Sequence, residues 1–182
     1  VTCPPDMVEA TPTACIEVLQ YPGSADMPPL LGMSALPESH IRVTGRWDLD
    51  GLCRARGRRA CTATEWKRAC IGTPRQSCLP LLKYRAPRWG KVRDRNALEL
   101  VRLNQYPDPD EYPGCVSLVG ARMMGATQEW VRVGNGWALT AGYWSREASC
   151  GDLVRSHAPR WHDYQTSGRC CLDREDAIDL LL

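Results

Sequence analysis

Phenylalanine is missing from the 182 residues, while tryptophan occurs seven times and tyrosine six. The core must therefore be filled by indoles and aliphatic side chains. No C-x-x-C pair occurs among the ten cysteines. That absence, with the even count, argues for disulfides over zinc or thioredoxin-like redox chemistry, and so for an oxidising compartment. No apolar run approaches the roughly 20 residues of a membrane-spanning helix, and no signal peptide is visible. Beginning at Val1, the chain is expected to be a mature or trimmed form from which a leader was removed. Charge of one sign is not in excess either: 23 basic against 21 acidic residues leave a net charge of +2, with the basic residues dispersed. A nucleic-acid footprint is not supported. GxSxG, P-loop and Gly-rich dinucleotide motifs are all absent.

What is present reads as one domain over 1–182, long enough for a real core and without repeats, low-complexity segments or a clear linker. Its hub is Cys53 to Cys70, which holds three cysteines. Thr62 and Glu65 form a capping box, and Trp66, Ala69 and Cys70 then recur at helical spacing. A preceding helix is expected over 47–56, with Leu49, Leu52 and Cys53 on one face and Gly57 ending it. Upstream, Met7-Val8 and 15–19 are expected to be edge strands in a proline-rich stretch. Residues 73–114 read as a long loop region with an acidic tail (YPDPDEYPG), and 116–133 as short strands around a turn at Gly125. From 137 to 171 aromatic, small and charged residues alternate without helical period, and 173–182 reads as a short helix or tail.

Five stretches together resemble one family. RRACTATEWKRACIG, from Arg58, is similar to the R-L-(C/P)-T-E-A-E-W-E-x-A-C-R-G signature of the formylglycine-generating enzyme, or sulfatase-modifying factor, family. CPPDMV at Cys3 resembles its opening C-P-x-G-M-V, and ACIE at Ala14 its A-C-I-D. VGARMMGATQEW at Val119 resembles V-Y-D-M-x-G-N-V-W-E-W, and SGRCC at Ser167 the closing G-F-R-C-C. The motifs run in family order from Cys3 to about Asp173. The resemblance implies an α+β, disulfide-rich, C-type-lectin-like fold with two helices, short twisted strands and long loops. It also implies the bridges Cys53–Cys170, Cys70–Cys150 and Cys61–Cys171, leaving Cys3–Cys15 and Cys78–Cys115. Spacing alone could not choose among the hundreds of pairings that ten cysteines permit.

The family oxidase uses a pair of reactive, copper-binding cysteines just after its G-G-S strand. Here that stretch, 141–149, reads AGYWSREAS, without a cysteine, and Ser and Arg cannot replace a soft thiolate pair. A copper-dependent formylglycine-generating oxidase is therefore disfavoured, no catalytic residue is assigned, and the chain reads as a pseudoenzyme. The iron-dependent sulfoxide synthases need a histidine-bearing helical domain, which His40, His157 and His162 do not supply. His157, His162 and Asp163 invite a metal reading, but polar groups on an exposed loop are the commoner arrangement. No metal ligand or cofactor is assigned. A structural calcium is left open, with Ala126 replacing the family asparagine and Asp108, Asp110 and Glu111 offering oxygens elsewhere. The calcium tripeptides of sugar-binding lectins, Glu-Pro-Asn and Gln-Pro-Asp, do not occur.

There remains the aromatic and arginine-rich region 137–168. Trp66, Trp130 and Trp137 are expected in the core, and Tyr143, Trp144, Arg146, Trp161 and His162 are expected to be exposed and ligand-binding. Aromatic and arginine side chains dominate binding hot spots because they bury area while keeping a polar handle. The expectation is a non-catalytic recognition module, extracellular, on a cell surface or periplasmic, that binds a protein or glycan ligand. It has no membrane span and no nucleic-acid partner. Its likeness to the variable proteins of diversity-generating retroelements, whose mutagenised residues fall in this segment, suggests a diversified binder. A structural subunit that self-associates in a surface or phage assembly is the alternative.

Overall fold

The computed structural model describes residues 2–19, 21, 45–71, 116–123, 128–140, 149–157 and 166–175. The described residues form a mixed α+β architecture of two helices and two small four-stranded sheets. Tyr143, Trp144, Arg146, Trp161 and His162 lie outside them, as do Cys78, Cys115, the turn at Gly125, the acidic 108–111 loop and residues 176–182.

The first sheet has the order β1-β2-β8-β3 and is antiparallel throughout. Strands β1 (Met7–Thr11) and β2 (Ala14–Glu17) make a hairpin, and β8 (Cys170–Asp173) lies between β2 and the short β3 (Arg59–Ala60). The expected edge strand at 15–19 is thus an inner strand, with all four β2 residues buried. Its apolar run Ala-Cys-Ile reflects burial on both faces, a pattern that marks inner strands.

Helix α1 (Arg46–Ala55) has buried Leu49 and Cys53 on its inner face. Gly57 takes φ +66° just beyond the helix, a left-handed conformation that glycine adopts without steric cost. In α2 (Ala63–Cys70) the expected capping box is in place. Glu65 N–H donates to Thr62 Oγ1 at 3.2 Å, and Thr62 N–H donates to Glu65 Oε2 at 2.7 Å.

Four disulfides bind these elements: Cys3–Cys15, Cys53–Cys170, Cys61–Cys171 and Cys70–Cys150. Three are the bridges that the family resemblance implies, and Cys3–Cys15 is one of the two pairs that it leaves. The doubled cysteine of β8 follows from strand geometry, because successive side chains point to opposite faces. Cys170 joins the cluster of Leu49, Cys53 and Tyr21 under α1, while Cys171 joins that of Ile16, Cys61 and Trp66 under α2. One strand is stapled to α1 at Cys53 and, at Cys61, to the residue just before the Thr62 cap of α2.

The second sheet has the order β6-β5-β4-β7. Strands β4 (Gln128–Val133) and β5 (Gly136–Thr140) form a hairpin whose tip holds Gly134 at φ +55°. Short β6 (Leu153–Val154) flanks β5 antiparallel, and β7 (Thr166–Ser167) flanks β4 in parallel. Trp66 and Trp130 are core residues, as expected. Trp137 is only half-buried, with the Arg132 guanidinium 5.0 Å from its ring centroid. Its position near the hairpin tip leaves one ring face to be covered by a cross-strand arginine.

Candidate functional site

Strand directions decide where the 137–168 region is anchored. In the β4–β5 hairpin, Glu129 pairs with Thr140, so β4 starts where β5 ends. Thr140 also pairs with Leu153 at the start of β6, and Gln128 pairs in parallel with Thr166 at the start of β7. Four strand termini therefore meet at one end of the sheet. Thr140, at this end, is the last described residue before 141–148, the stretch that contains Tyr143, Trp144 and Arg146. Thr166, at the same end, is the first described residue after 158–165, the stretch that contains Trp161 and His162.

The described flanks are tightly fixed. Thr140 Oγ1 donates to the Asp152 carbonyl at 3.1 Å, and Ser149 N–H donates to the Asp152 carboxylate at 2.8 Å. One residue on, Cys150 is bridged to the end of α2 through Cys70. Thr140, Gln128, Thr166 and Ser167 are all buried, so this end of the sheet rests on polar residues held inside the protein. His157 is half-buried and Arg155 exposed.

Beneath this end lies a polar joint that no local sequence pattern announces. Arg169 is fully buried and forms two parallel hydrogen bonds to the Glu129 carboxylate, each 2.7 Å. Its remaining N–H groups donate to the carbonyls of Glu17, Val18 and Arg122 at 3.1, 3.0 and 2.8 Å. Guanidinium is the side chain that can serve a carboxylate and several carbonyls at once, because its planar fork carries five donors. Arg169 thereby joins β4 of the second sheet to the exit of β2 in the first. Gly168 before it leaves no room for a side chain: an added Cβ would stand 2.5 Å from Leu49 Cδ2.

A second polar cluster centres on Glu17, which accepts from Tyr21 Oη at 3.0 Å and from Cys170 N–H at 2.7 Å and pairs with Arg58. Arg58 also holds Asp6 through contacts of 2.8 and 3.0 Å. Burial pushes the Asp6 carboxyl up, but the hydrogen bonds and charge of Arg58 outweigh it and the pKa is lowered. Burial and the neighbouring Glu17 carboxylate push the Tyr21 phenol well above its ordinary range. A third cluster clamps the start of α2 to β8, with Arg59 bound to Glu65 at 2.6 and 2.9 Å and to Asp173 at 2.6 and 3.1 Å. Burial raises the Glu65 pKa, and the Arg59 and Thr62 hydrogen bonds reverse this and lower it. The Asp173 pKa is lowered by its Arg59 hydrogen bonds, against a smaller effect of burial.

These clusters are structural in their chemistry. Each buried carboxylate is matched to guanidinium or N–H donors. Among the described residues, no group of three or more His, Cys, Asp or Glu side chains is arranged to hold a metal ion. No described helix is long and apolar enough to cross a membrane. Four disulfides in one chain indicate an oxidising compartment. No protein-family model matches the chain, and no curated protein matches it.

Proposed function

We propose that the chain is a non-catalytic recognition module with a C-type-lectin-like scaffold of the sulfatase-modifying-factor type, working outside the cell, on its surface or in the periplasm. It binds a protein or glycan ligand through residues 137–168. The observation that carries this reading is the convergence of four strand termini at one end of the second sheet. The segments that hold Tyr143, Trp144, Arg146, Trp161 and His162 are both attached there. Anchoring at Cys150 and at the Arg169 joint reduces the ordering entropy that a binding loop must lose, which favours affinity. Ser, Gly and Ala interleaved with aromatics and arginines match the composition of adaptable binding loops. The family order of the five motifs supports the scaffold, and the absence of a cysteine from 141–149 supports a non-catalytic role. A retroelement-diversified binder is a refinement of the same reading.

The test is an array of glycans and cell-surface ectodomains probed with the chain and with a variant carrying alanine at Tyr143, Trp144, Arg146, Trp161 and His162. The expected outcome is a defined set of ligands for the parent, lost in the variant at an unchanged melting temperature. Identical profiles for the two proteins would sink the assignment of these residues. Assembly into large particles at micromolar concentration, without array binding, would favour a structural subunit. With copper and a cysteine-containing peptide, oxygen uptake is expected to be nil.

A further inference from the structure

A second surface, which has Cys150, Gly151 and Leu153 in common with the 137–168 region but none of its five proposed ligand-binding residues, has the makings of a binding site. A groove of about 550 Å³ runs between α2 and the turn leading into β6, a size within the range of ligand pockets. Thr64, Lys67, Arg68 and Ile71 stand on one wall and Gly151 and Leu153 on the other, with the Cys70–Cys150 bridge joining the two. Ile71 is 52% exposed and Leu153 36%, so both ends of the groove offer apolar surface to solvent. Beyond Ile71 the strip continues to Leu118, 81% exposed, whose N–H donates to the Ile71 carbonyl at 3.1 Å.

The cations of this groove differ from six of the described arginines. Arg54, Arg56, Arg58, Arg59, Arg169 and Arg174 each face a carboxylate. Among the described residues no carboxylate lies within ion-pair distance of Lys67 or Arg68, although both line the groove. The Lys67 ammonium reaches over Gly151, its Nζ 3.6 Å from where a Cβ on that glycine would stand. Consecutive helix positions diverge by about 100°, so one compact anionic headgroup cannot satisfy both cations. Two separated carboxylates on an extended chain can. The opposite wall includes Leu153 of β6, the outer strand of its sheet among the described residues. An outer strand presents backbone donors and acceptors suited to an extended peptide.

We propose that this groove binds an extended acidic peptide segment of a partner protein, its carboxylates at Lys67 and Arg68 and an apolar side chain between Ile71 and Leu153. The test is a titration of the ¹⁵N-labelled chain with the acetylated, amidated pentapeptide Asp-Leu-Asp-Leu-Asp, followed by amide shifts, alongside its Lys-Leu-Lys-Leu-Lys counterpart. The expected result is saturable shifts at Lys67, Arg68, Ile71, Gly151 and Leu153 with the acidic peptide alone, weakened by added salt. The K67E/R68E variant, altered at exposed positions, should raise Kd at least about tenfold. A milder K67Q/R68Q variant with wild-type amide dispersion serves if the reversal of charge disturbs the helix. Absence of saturable shifts, equal binding of the basic peptide, or an unchanged Kd in a folded variant would overturn the proposal. So would binding of dodecanoate in place of the peptide, which would give the groove to amphiphilic carboxylates.

Discussion

Removing the Arg169 guanidinium would leave the Glu129 carboxylate buried with its cation gone, and three backbone carbonyls would lose donors as well. Breaking a buried ion pair from one side is far more damaging than replacing both partners, because the orphaned charge keeps its full desolvation penalty. Arg169→Met is therefore expected to destabilise the fold by about 3–5 kcal/mol, measured by urea denaturation. The Arg169→Met/Glu129→Leu double variant should recover a substantial part of that loss, since neither charge then remains. Full additivity of the two single changes would show that the residues do not act as a pair. None of this was legible in the sequence, where an arginine and a glutamate 40 positions apart carry no mutual signal. Only the short motif SGRCC marked the place. There the glycine reflects the close approach of Leu49, and the two cysteines reflect the alternation of β8.

At the scale of elements, β8 is fixed twice by neighbouring bridges. Once Cys53–Cys170 is closed, Cys61–Cys171 encloses only the short stretches 53–61 and 170–171. In the chain-entropy model a loop of about ten residues is worth roughly 2.7 kcal/mol, whereas a loop of about 110 is worth roughly 4.8 kcal/mol. Removing either bridge alone by paired Cys→Ser changes should thus cost about 2.7 kcal/mol, and removing both about 7.5 kcal/mol. Equal and additive losses would show that the two bridges constrain separate loops. The helices were readable because their signals are local: Thr62 and Glu65 for α2, Leu49 and Cys53 for α1. The β4–β5 hairpin also had a local signal, the Gly134-Asn135 pair between apolar runs, which is a strong marker of a tight turn. The turn expected at Gly125, within 116–133, lies outside the described residues. Strand order was hidden, because β8 pairs with β2 and β3 across more than a hundred residues.

For the molecule as a whole, the charge clusters set a pH window. Asp6, Glu65 and Asp173 all have pKa values lowered by guanidinium partners below the ordinary 3.8 to 4.5. As pH falls through that range the unfolded chain takes up protons before the native one, so stability declines on acidification. Tyr21 acts in the opposite sense, because its phenol holds its proton above the ordinary pKa of 10.0. Above that pH the unfolded chain ionises first, and stability declines again. Urea midpoints should be level between about pH 5 and 9 and fall on both sides, with Tyr21→Phe flattening the alkaline limb. The bridges carry a further consequence, for synthesis. Cys53, Cys61 and Cys70 find their partners at 170, 171 and 150, so none of these bridges can close until residues 150–171 have reached the oxidising compartment. Until then three thiols lie within eighteen residues of one another, free to pair wrongly, while Cys3–Cys15 can already form. The pairing thus makes maturation sensitive to the order in which the chain arrives.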